Sequence, residues 1–220
     1  MITENLEEIR RELPEHVQLV AVSKTKPIED LQEAFDAGQR IFGENKVQEM
    51  AAKWEMLPEE IEWHFIGHLQ RNKVKYLAPF VSLIHGVESF RLLKEINKQA
   101  LKSNRIIDVL LQFYIADEET KFGLSKEEAE LLLSSEEFKL LQNIRIRGVM
   151  GMATFTKDQE KIRGEFQKLK TIHTDLLKKH FSGVHVFDTV SMGMSGDYSI
   201  AIDEGSTMIR IGSSIFGFRN

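Results

Sequence analysis

The strongest constraint on the fold of this 220-residue chain is a regular alternation of strand-like and helix-like segments. Short apolar runs with the period of two typical of β-strands are each followed by an amphipathic segment with helical spacing. This alternation favours a parallel sheet in which helices connect the strands. The eight predicted strands cover residues 17–23, 40–43, 62–66, 81–85, 107–113, 145–150, 184–187 and 208–211.

The predicted helices lie between these strands, and a further amphipathic helix covers the acidic N-terminal residues 1–13. Gly38 stands where a helix C-terminal cap is expected, and Ser125 with Glu128 has the spacing of a capping box. The other predicted helices cover residues 28–37, 45–56, 70–77, 90–101, 126–133, 159–180 and 198–203.

Eight parallel strands form either a closed barrel or an open sheet. The strand count, the chain length and the lack of a Gly-x-Gly-x-x-Gly motif after any strand favour closure. We therefore predict an α/β fold, a (βα)8 TIM barrel with an extra N-terminal helix. No low-complexity linker or block of consecutive strands indicates a second domain, so we expect one domain over residues 1–220.

The composition narrows the classes of partner. A formal net charge of -5 argues against nucleic acid or an anionic membrane as the main partner. The absence of cysteine excludes disulfides and thiolate chemistry, and no histidine spacing typical of a metal site occurs. The N-terminus does not resemble a secretory signal, and no apolar run approaches the roughly 18 residues of a membrane span. We expect a cytoplasmic protein without a metal.

Lys24 directly follows the first predicted apolar strand. The period of two places it on the same face as Val20 and Val22, at the carboxyl end of the strand, where α/β folds keep their chemistry. An ammonium group there must be paired, lose its proton or form an imine with a carbonyl compound. The alternative is a solvated loop lysine, the commoner role of this residue type.

Small and polar residues follow the last two predicted strands. The segment 191–196 leads into a short helix from Asp197, and Ser195 offers a hydroxyl near the start of that helix. Gly212 and Ser213 follow the eighth strand. These two loops form the recurrent phosphate site of (βα)8 barrels, although glycine and serine are also common in ordinary turns.

Three other polar residues lie in or next to predicted strands. Arg210 stands between two isoleucines, so it faces the barrel interior if they face the helices, and it then needs an acceptor. That acceptor is either a carboxylate such as Glu44 or a ligand. Asn45 is either a helix N-cap or a ligand contact, and His64 is either a core histidine or part of a site.

Five segments of the chain resemble the pyridoxal phosphate homeostasis proteins, a family of single (βα)8 barrels related to the N-terminal domain of alanine racemase. They are Ala-Val-Ser-Lys-Thr-Lys at 21–26, Phe-Gly-Glu-Asn at 42–45, Trp-His-Phe-Ile-Gly-His-Leu-Gln at 63–70, Ser-Met-Gly-Met-Ser at 191–195 and Ile-Arg-Ile-Gly at 209–212. The resemblance implies that pyridoxal 5'-phosphate (PLP) is bound covalently through Lys24 as an imine. It also implies that Arg210 faces the pyridine nitrogen, that Ser195, Gly212 and Ser213 hold the phosphate, and that Asn45 neighbours the ring or its 3'-oxygen.

The expected function is therefore PLP binding in intracellular vitamin B6 homeostasis, in which the protein holds the cofactor and buffers or delivers it. An arginine opposite the ring nitrogen keeps its own protons and leaves the ring a weak electron sink, which disfavours aminotransferase chemistry. The alternative is a PLP-dependent racemase or lyase acting on small amino acids. A lysine-imine aldolase acting on sugar phosphates ranks last, because it gives Arg210 no role.

A two-base racemase needs an acid/base group on each face of its substrate. In racemases of the related fold the second group is a tyrosine from another domain, which this chain lacks. Tyr114, in a segment 114–123 that departs from the family pattern, is the one tyrosine expected near the barrel mouth. We therefore expect a monomeric carrier without robust catalysis and without assigned catalytic residues, which contacts PLP-dependent apoenzymes transiently.

Overall fold

Eight parallel strands close into a barrel in which each strand pairs with the next and the eighth pairs with the first. The computed structural model describes residues 1–116 and 122–217. The predicted (βα)8 fold is confirmed. The strands are β1 (Gln18–Val22), β2 (Ile41–Glu44), β3 (Glu62–Phe65), β4 (Leu83–Val87), β5 (Ile107–Gln112), β6 (Ile144–Met150), β7 (Thr189–Met194) and β8 (Met208–Ile211).

Helices surround the barrel, and the predicted N-terminal helix packs against the second and the last helix. None of the helices in the described ranges is long and apolar enough to cross a membrane. The helices are α1 (Ile2–Glu12), α2 (Ile28–Asp36), α3 (Val47–Trp54), α4 (Val74–Leu77), α5 (Phe90–Lys102), α6 (Lys126–Ser134), α7 (Glu136–Lys139), α8 (Gln159–His180), α9 (Tyr198–Asp203) and α10 (Ser213–Phe216), with a 3-10 turn at Arg71–Lys73.

Both predicted helix-end signals are present. Ser125 accepts a hydrogen bond from the Glu128 amide at 3.1 Å, and the Glu128 carboxylate accepts one from the Ser125 amide at 2.7 Å. Gly38 follows α2, and its amide donates to the Phe35 carbonyl at 2.8 Å. These bonds satisfy backbone groups that helix ends leave without partners.

Alternate residues of each strand face opposite sides of the barrel wall. Val20, Leu83, Leu110, Met150 and Met208 pack together in the interior. The intervening residues pack against the helices in a larger buried cluster that includes Ala21, Trp63, Phe65, Ile209 and Ile211. Because Trp63 and Phe65 face the helices, His64 between them faces the barrel axis, and Arg210 does so between Ile209 and Ile211.

The predicted seventh strand at residues 184–187 is wrong. The Val184 amide donates to the Phe181 carbonyl at 2.9 Å, and the Phe187 ring stacks on the Phe181 ring with centroids 4.1 Å apart. Residues 184–187 therefore belong to the turn after α8, and β7 starts at Thr189. As a result, residues 191–194 lie in the strand, and the loop that follows it begins at Ser195.

A glycine allows β7 and α9 to approach closely. Gly193 has a φ of +96°, and an ideal Cβ there would lie 2.7 Å from the Cβ of Ala201 in α9. The pairing of β7 with β8 shifts register between Ser191 and Met194 around this residue. The local bulge thus places Ser191 inside the barrel and Ser195 at its rim.

Candidate functional site

The carboxyl ends of the strands surround a cavity of about 980 Å³. This volume is at the upper end of the range for small-molecule sites. The sequence-predicted cofactor residues come from the ends of β1, β2, β7 and β8, and they all line this one cavity: Lys24, Asn45, Ser195, Arg210, Gly212 and Ser213.

Lys24 lies in a tight turn directly after β1. The Lys26 amide donates to the Ser23 carbonyl at 3.0 Å, which closes the turn, and Thr25 within it has a φ of +66°. Ser23 is fully buried, whereas Val22 and Lys24 line the cavity. The partly buried position of Lys24 favours the prediction of a site lysine over a solvated loop lysine.

Arg210 is almost completely buried in the interior of the barrel. Its guanidinium donates to Ser191 Oγ at 2.6 Å and to the Gly151 carbonyl at 3.1 Å. Burial lowers its pKa to about 10, against the opposing charge of Asp197, so Arg210 stays protonated at neutral pH. The proposed partner Glu44 is wrong, because Glu44 lies on the helix side of the wall and binds Lys53.

Two buried histidines extend the contacts of Arg210 across the barrel. His85 Nδ1 lies 3.1 Å from Ser191 Oγ, and His85 Nε2 lies 3.1 Å from His64 Nδ1. Burial lowers the pKa of His64 to about 3 and that of His85 well below 6.5, so both rings are neutral near pH 7. His64 is thus a hydrogen-bonded core histidine, and the sequence analysis missed His85 and Ser191 as its partners.

Arg210 only donates hydrogen bonds, so Ser191 Oγ is the acceptor in its bond with Arg210. When both rings are neutral, the Ser191–His85 and His85–His64 bonds each have one donor and one acceptor, and they run in the same direction along the chain. The two rings are therefore the same tautomer, both Nε2–H or both Nδ1–H. The chain therefore holds the Arg210 guanidinium without adding another buried charge.

We expect His64 to make the fold sensitive to acid. The pKa of His64 is about 3 in the folded protein and near 6.5 in the unfolded chain. Between these two pH values His64 is neutral in the folded protein and binds a proton on unfolding. Stability therefore falls as the pH drops through this window, by about 1.4 kcal/mol per pH unit for one proton. Denaturant unfolding of His64→Asn between pH 7 and 4 should show a shallower pH slope than the wild type. An unchanged slope would show that His64 does not titrate on unfolding.

Asn45 lines the cavity, and its interpretation as a helix N-cap is wrong. Helix α3 starts at Val47, and the preceding residue, Lys46, makes no side-chain capping bond. Asn45 Oδ1 is buried and has no hydrogen-bond partner among the residues that the structure describes. Because buried polar atoms are nearly always paired, this acceptor fits a ligand that donates a hydrogen bond.

The loops after β7 and β8 meet at one end of the cavity. The Gly212 amide donates to Ser195 Oγ at 3.3 Å. Ser213 and Ser214 are the first residues of α10, so their amides have no acceptor within that helix. An ideal Cβ on Gly212 would lie 3.2 Å from the Val22 carbonyl oxygen, so glycine brings this loop close to β1. The arrangement suits a phosphate group.

Residues 1–220 match the family model described as the N-terminal domain of alanine racemase. The pyridoxal phosphate homeostasis protein of Aquifex aeolicus is 40% identical over 203 residues, which cover 92% of this chain and 87% of that relative. The chain belongs to the pyridoxal phosphate homeostasis protein family. The family predicted from the sequence motifs is thereby confirmed.

Solved structures agree with membership of this family. PipY of Synechococcus elongatus with PLP bound has a TM-score of 0.87 and 34% identity, over 99% of this chain and 100% of that one. Its structure without PLP has a TM-score of 0.92 at the same identity and coverage. Alanine racemase from E. faecalis, at 18% identity, has a TM-score of 0.75 over 99% of this chain and 58% of that one, which supports the fold alone.

Tyr114 lies at the carboxyl end of the barrel, as expected, but it is not among the described residues that line the cavity. Tyr114 follows β5, but its ring lies 5.7 Å from Lys168 Nζ of α8 rather than in the cavity wall. No tyrosine occurs among the described residues that line the cavity. The rest of the predicted family departure includes residues 117–121, which lie outside the described residues. The sequence analysis also missed Gln112, which is buried at the end of β5 and lines the cavity.

Proposed function

We propose that this chain binds PLP covalently through Lys24 in the cavity at the strand ends, and that it holds, buffers or delivers the cofactor in intracellular vitamin B6 homeostasis. The observation that carries the proposal is the convergence of Lys24, Arg210 and the small-residue loops on one cavity. Its relatives support it, since they are named pyridoxal phosphate homeostasis proteins and the PipY structure holds PLP.

Each part of PLP has a matching group in the cavity. PLP supplies an aldehyde, with which an unprotonated lysine amine forms a C=N bond and releases one water. At the phosphate, Ser195 offers its hydroxyl, Gly212 orients that hydroxyl through its amide, and Ser213 offers a backbone amide. Arg210 offers a donor to the pyridine nitrogen. The unpaired Oδ1 of Asn45 is an acceptor, and it is then left for a hydrogen-bond donor beside the ring, such as a protonated 3'-oxygen.

The cavity favours a carrier over a racemase. Two-base racemisation needs an acid/base group opposite the lysine. In racemases of the related fold that group is a tyrosine, and no tyrosine lies among the described cavity-lining residues. We place this carrier in the cytoplasm as a monomer over residues 1–220. We expect it to make transient contacts with PLP-dependent apoenzymes when it hands on the cofactor.

The decisive experiment is reduction of the PLP-loaded protein with borohydride, followed by peptide mass analysis. We expect a yellow protein whose visible band disappears on reduction and whose pyridoxyl adduct lies on the peptide with Lys24. This result follows because a lysine imine absorbs visible light and is fixed by reduction.

Two results would contradict the proposal. Protein that stays colourless and unmodified after incubation with excess PLP would remove the cofactor assignment. Exchange of the α-hydrogen of alanine or serine at about one per second or faster would instead retain the cofactor and replace the carrier with an enzyme.

A further inference from the structure

A buried charged cluster lies on the helix side of the barrel wall, directly behind the Lys24 turn. Lys53 of α3 donates to Glu44 Oε1 at 2.7 Å, to Glu49 Oε1 at 2.8 Å and to the Ser23 carbonyl at 2.8 Å. An ammonium group has three N–H donors, and here each one has an acceptor. The Lys53 side chain, 7% exposed, is therefore fixed in a single arrangement.

The cluster holds the backbone on both sides of Lys24. The Ser23 carbonyl, which Lys53 binds, belongs to the peptide unit before the Lys24 Cα. The Thr25 amide, which donates to Glu49 Oε1 at 2.5 Å, belongs to the peptide unit after it. Because peptide units are planar, fixing both of them fixes φ and ψ of Lys24 and so the direction of its Cα–Cβ bond.

The turn needs this support because Thr25 adopts a backbone conformation that threonine disfavours. Thr25 has a φ of +66° at the third position of a four-residue turn closed by the Lys26 amide and the Ser23 carbonyl. That position favours glycine or asparagine, and a β-branched residue there is strained. Such an outlier persists only where the surrounding structure enforces it, and it often occurs at functional sites.

We propose that Glu49 and Lys53 are positioning residues, which clamp the two peptide units around Lys24 and thereby aim its amine into the cavity. The inference rests on the proposed function, since it assigns the clamp to the residue that forms the covalent bond with PLP. Neither residue is among the described residues that line the cavity, because both side chains bind the turn from behind the barrel wall. Their effect is on the geometry of the bond-forming nitrogen.

Glu49 is the residue to test, because its side chain is 22% exposed. When Glu49 is removed, the buried charges of Lys53 and Glu44 still neutralise each other. Glu49→Ala removes the acceptor of the Thr25 amide. Glu49→Gln keeps an Oε1 acceptor for both Thr25 and Lys53 and removes only the charge. Glu55→Ala, at the exposed end of α3, is the matched control.

The measurements are the rate of imine formation after mixing with PLP, followed by visible absorbance, and hydrogen exchange of the Thr25 amide in cofactor-free protein. For Glu49→Ala we expect a rate roughly tenfold to a hundredfold lower and faster amide exchange, since small misplacement of a reacting group has effects of this size. Glu49→Gln should recover most of the rate, and Glu55→Ala should match the wild type.

A folded Glu49→Ala protein that forms the imine at the wild-type rate would overturn the clamp and leave the proposed function intact. A wild-type protein without any adduct on Lys24 would overturn both. Equal slowing by Glu49→Ala and Glu55→Ala would also overturn the clamp, because the effect would then come from general weakening of α3. Thermal unfolding of each variant separates these outcomes from loss of the fold.

Discussion

Replacement of Lys24 by alanine is expected to abolish the reducible covalent adduct with PLP completely. Two other lysines near the turn, Lys26 and Lys53, have hydrogen-bond partners of their own. Lys53 donates to three acceptors outside the barrel, and Lys26 donates to the Phe216 and Gly217 carbonyls at 2.8 and 3.2 Å. The contacts proposed for the phosphate and the ring do not involve Lys24, so the variant should still bind PLP reversibly. Borohydride reduction and peptide mass analysis of both proteins measure the difference.

Lys26→Ala is the matched control, since it removes another lysine that lines the same cavity. We expect this variant to keep its adduct on Lys24. Equal adduct yield in Lys24→Ala, mapped to a different lysine, would contradict the assignment. Such a result would show that the cavity admits any neighbouring amine rather than one positioned nitrogen.

The residues that face the cavity could be predicted where the alternation along one strand determines which way each side chain points. Lys24 and Arg210 each follow the period of two, and apolar neighbours such as Ile209 and Ile211 mark the opposite face. Local patterns also predicted α8 (Gln159–His180) with the bounds that the structure has. Strand alternation and helix bounds depend on residues a few positions apart, so a single sequence is enough to predict them.

The partners of these residues were not predictable, because they depend on strands that are distant in sequence. His85 and Ser191 are 106 positions apart and meet only across the closed barrel. Glu44 was paired with Arg210 by charge alone, whereas the barrel wall separates the two and gives Glu44 to Lys53. The wrong seventh strand has a related cause, since the apolar Phe187 packs on Phe181 and His173 rather than in the sheet.

Lys53→Met is expected to cause the largest loss of stability. Glu44 is fully buried, and Lys53 is its counter-ion at 2.7 Å. Removing one member of a buried ion pair costs about 3–5 kcal/mol, because the other charge stays desolvated. Denaturant unfolding at pH 7 measures this loss. The methionine keeps most of the aliphatic volume, so a cavity does not account for it.

The pH dependence of this loss separates the buried charge from lost packing. Burial raises the pKa of Glu44 above its ordinary value of 4.5, against the opposing effect of Lys53, and without Lys53 the pKa rises further. When the pKa of a carboxyl is higher in the folded than in the unfolded protein, the free energy of unfolding falls as the pH rises from 4.5 through the folded pKa. The stability difference between wild type and Lys53→Met should therefore shrink as the pH falls toward 4.5, and the histidine contributions cancel in it.

A double variant tests whether the unpaired charge of Glu44 causes the loss of stability. In Lys53→Met with Glu44→Gln no fully buried charge remains, since Glu49 is 22% exposed, and replacing both members of a buried pair is often nearly neutral. The double variant should recover most of the stability that the single variant loses, with Glu44→Gln alone as the fourth member of the cycle. A Lys53→Met loss below about 1 kcal/mol at neutral pH, or a loss that does not change with pH, would show that Glu44 is already neutral or solvated. The cluster would then hold the Lys24 turn through hydrogen bonds to Ser23 and Thr25 alone.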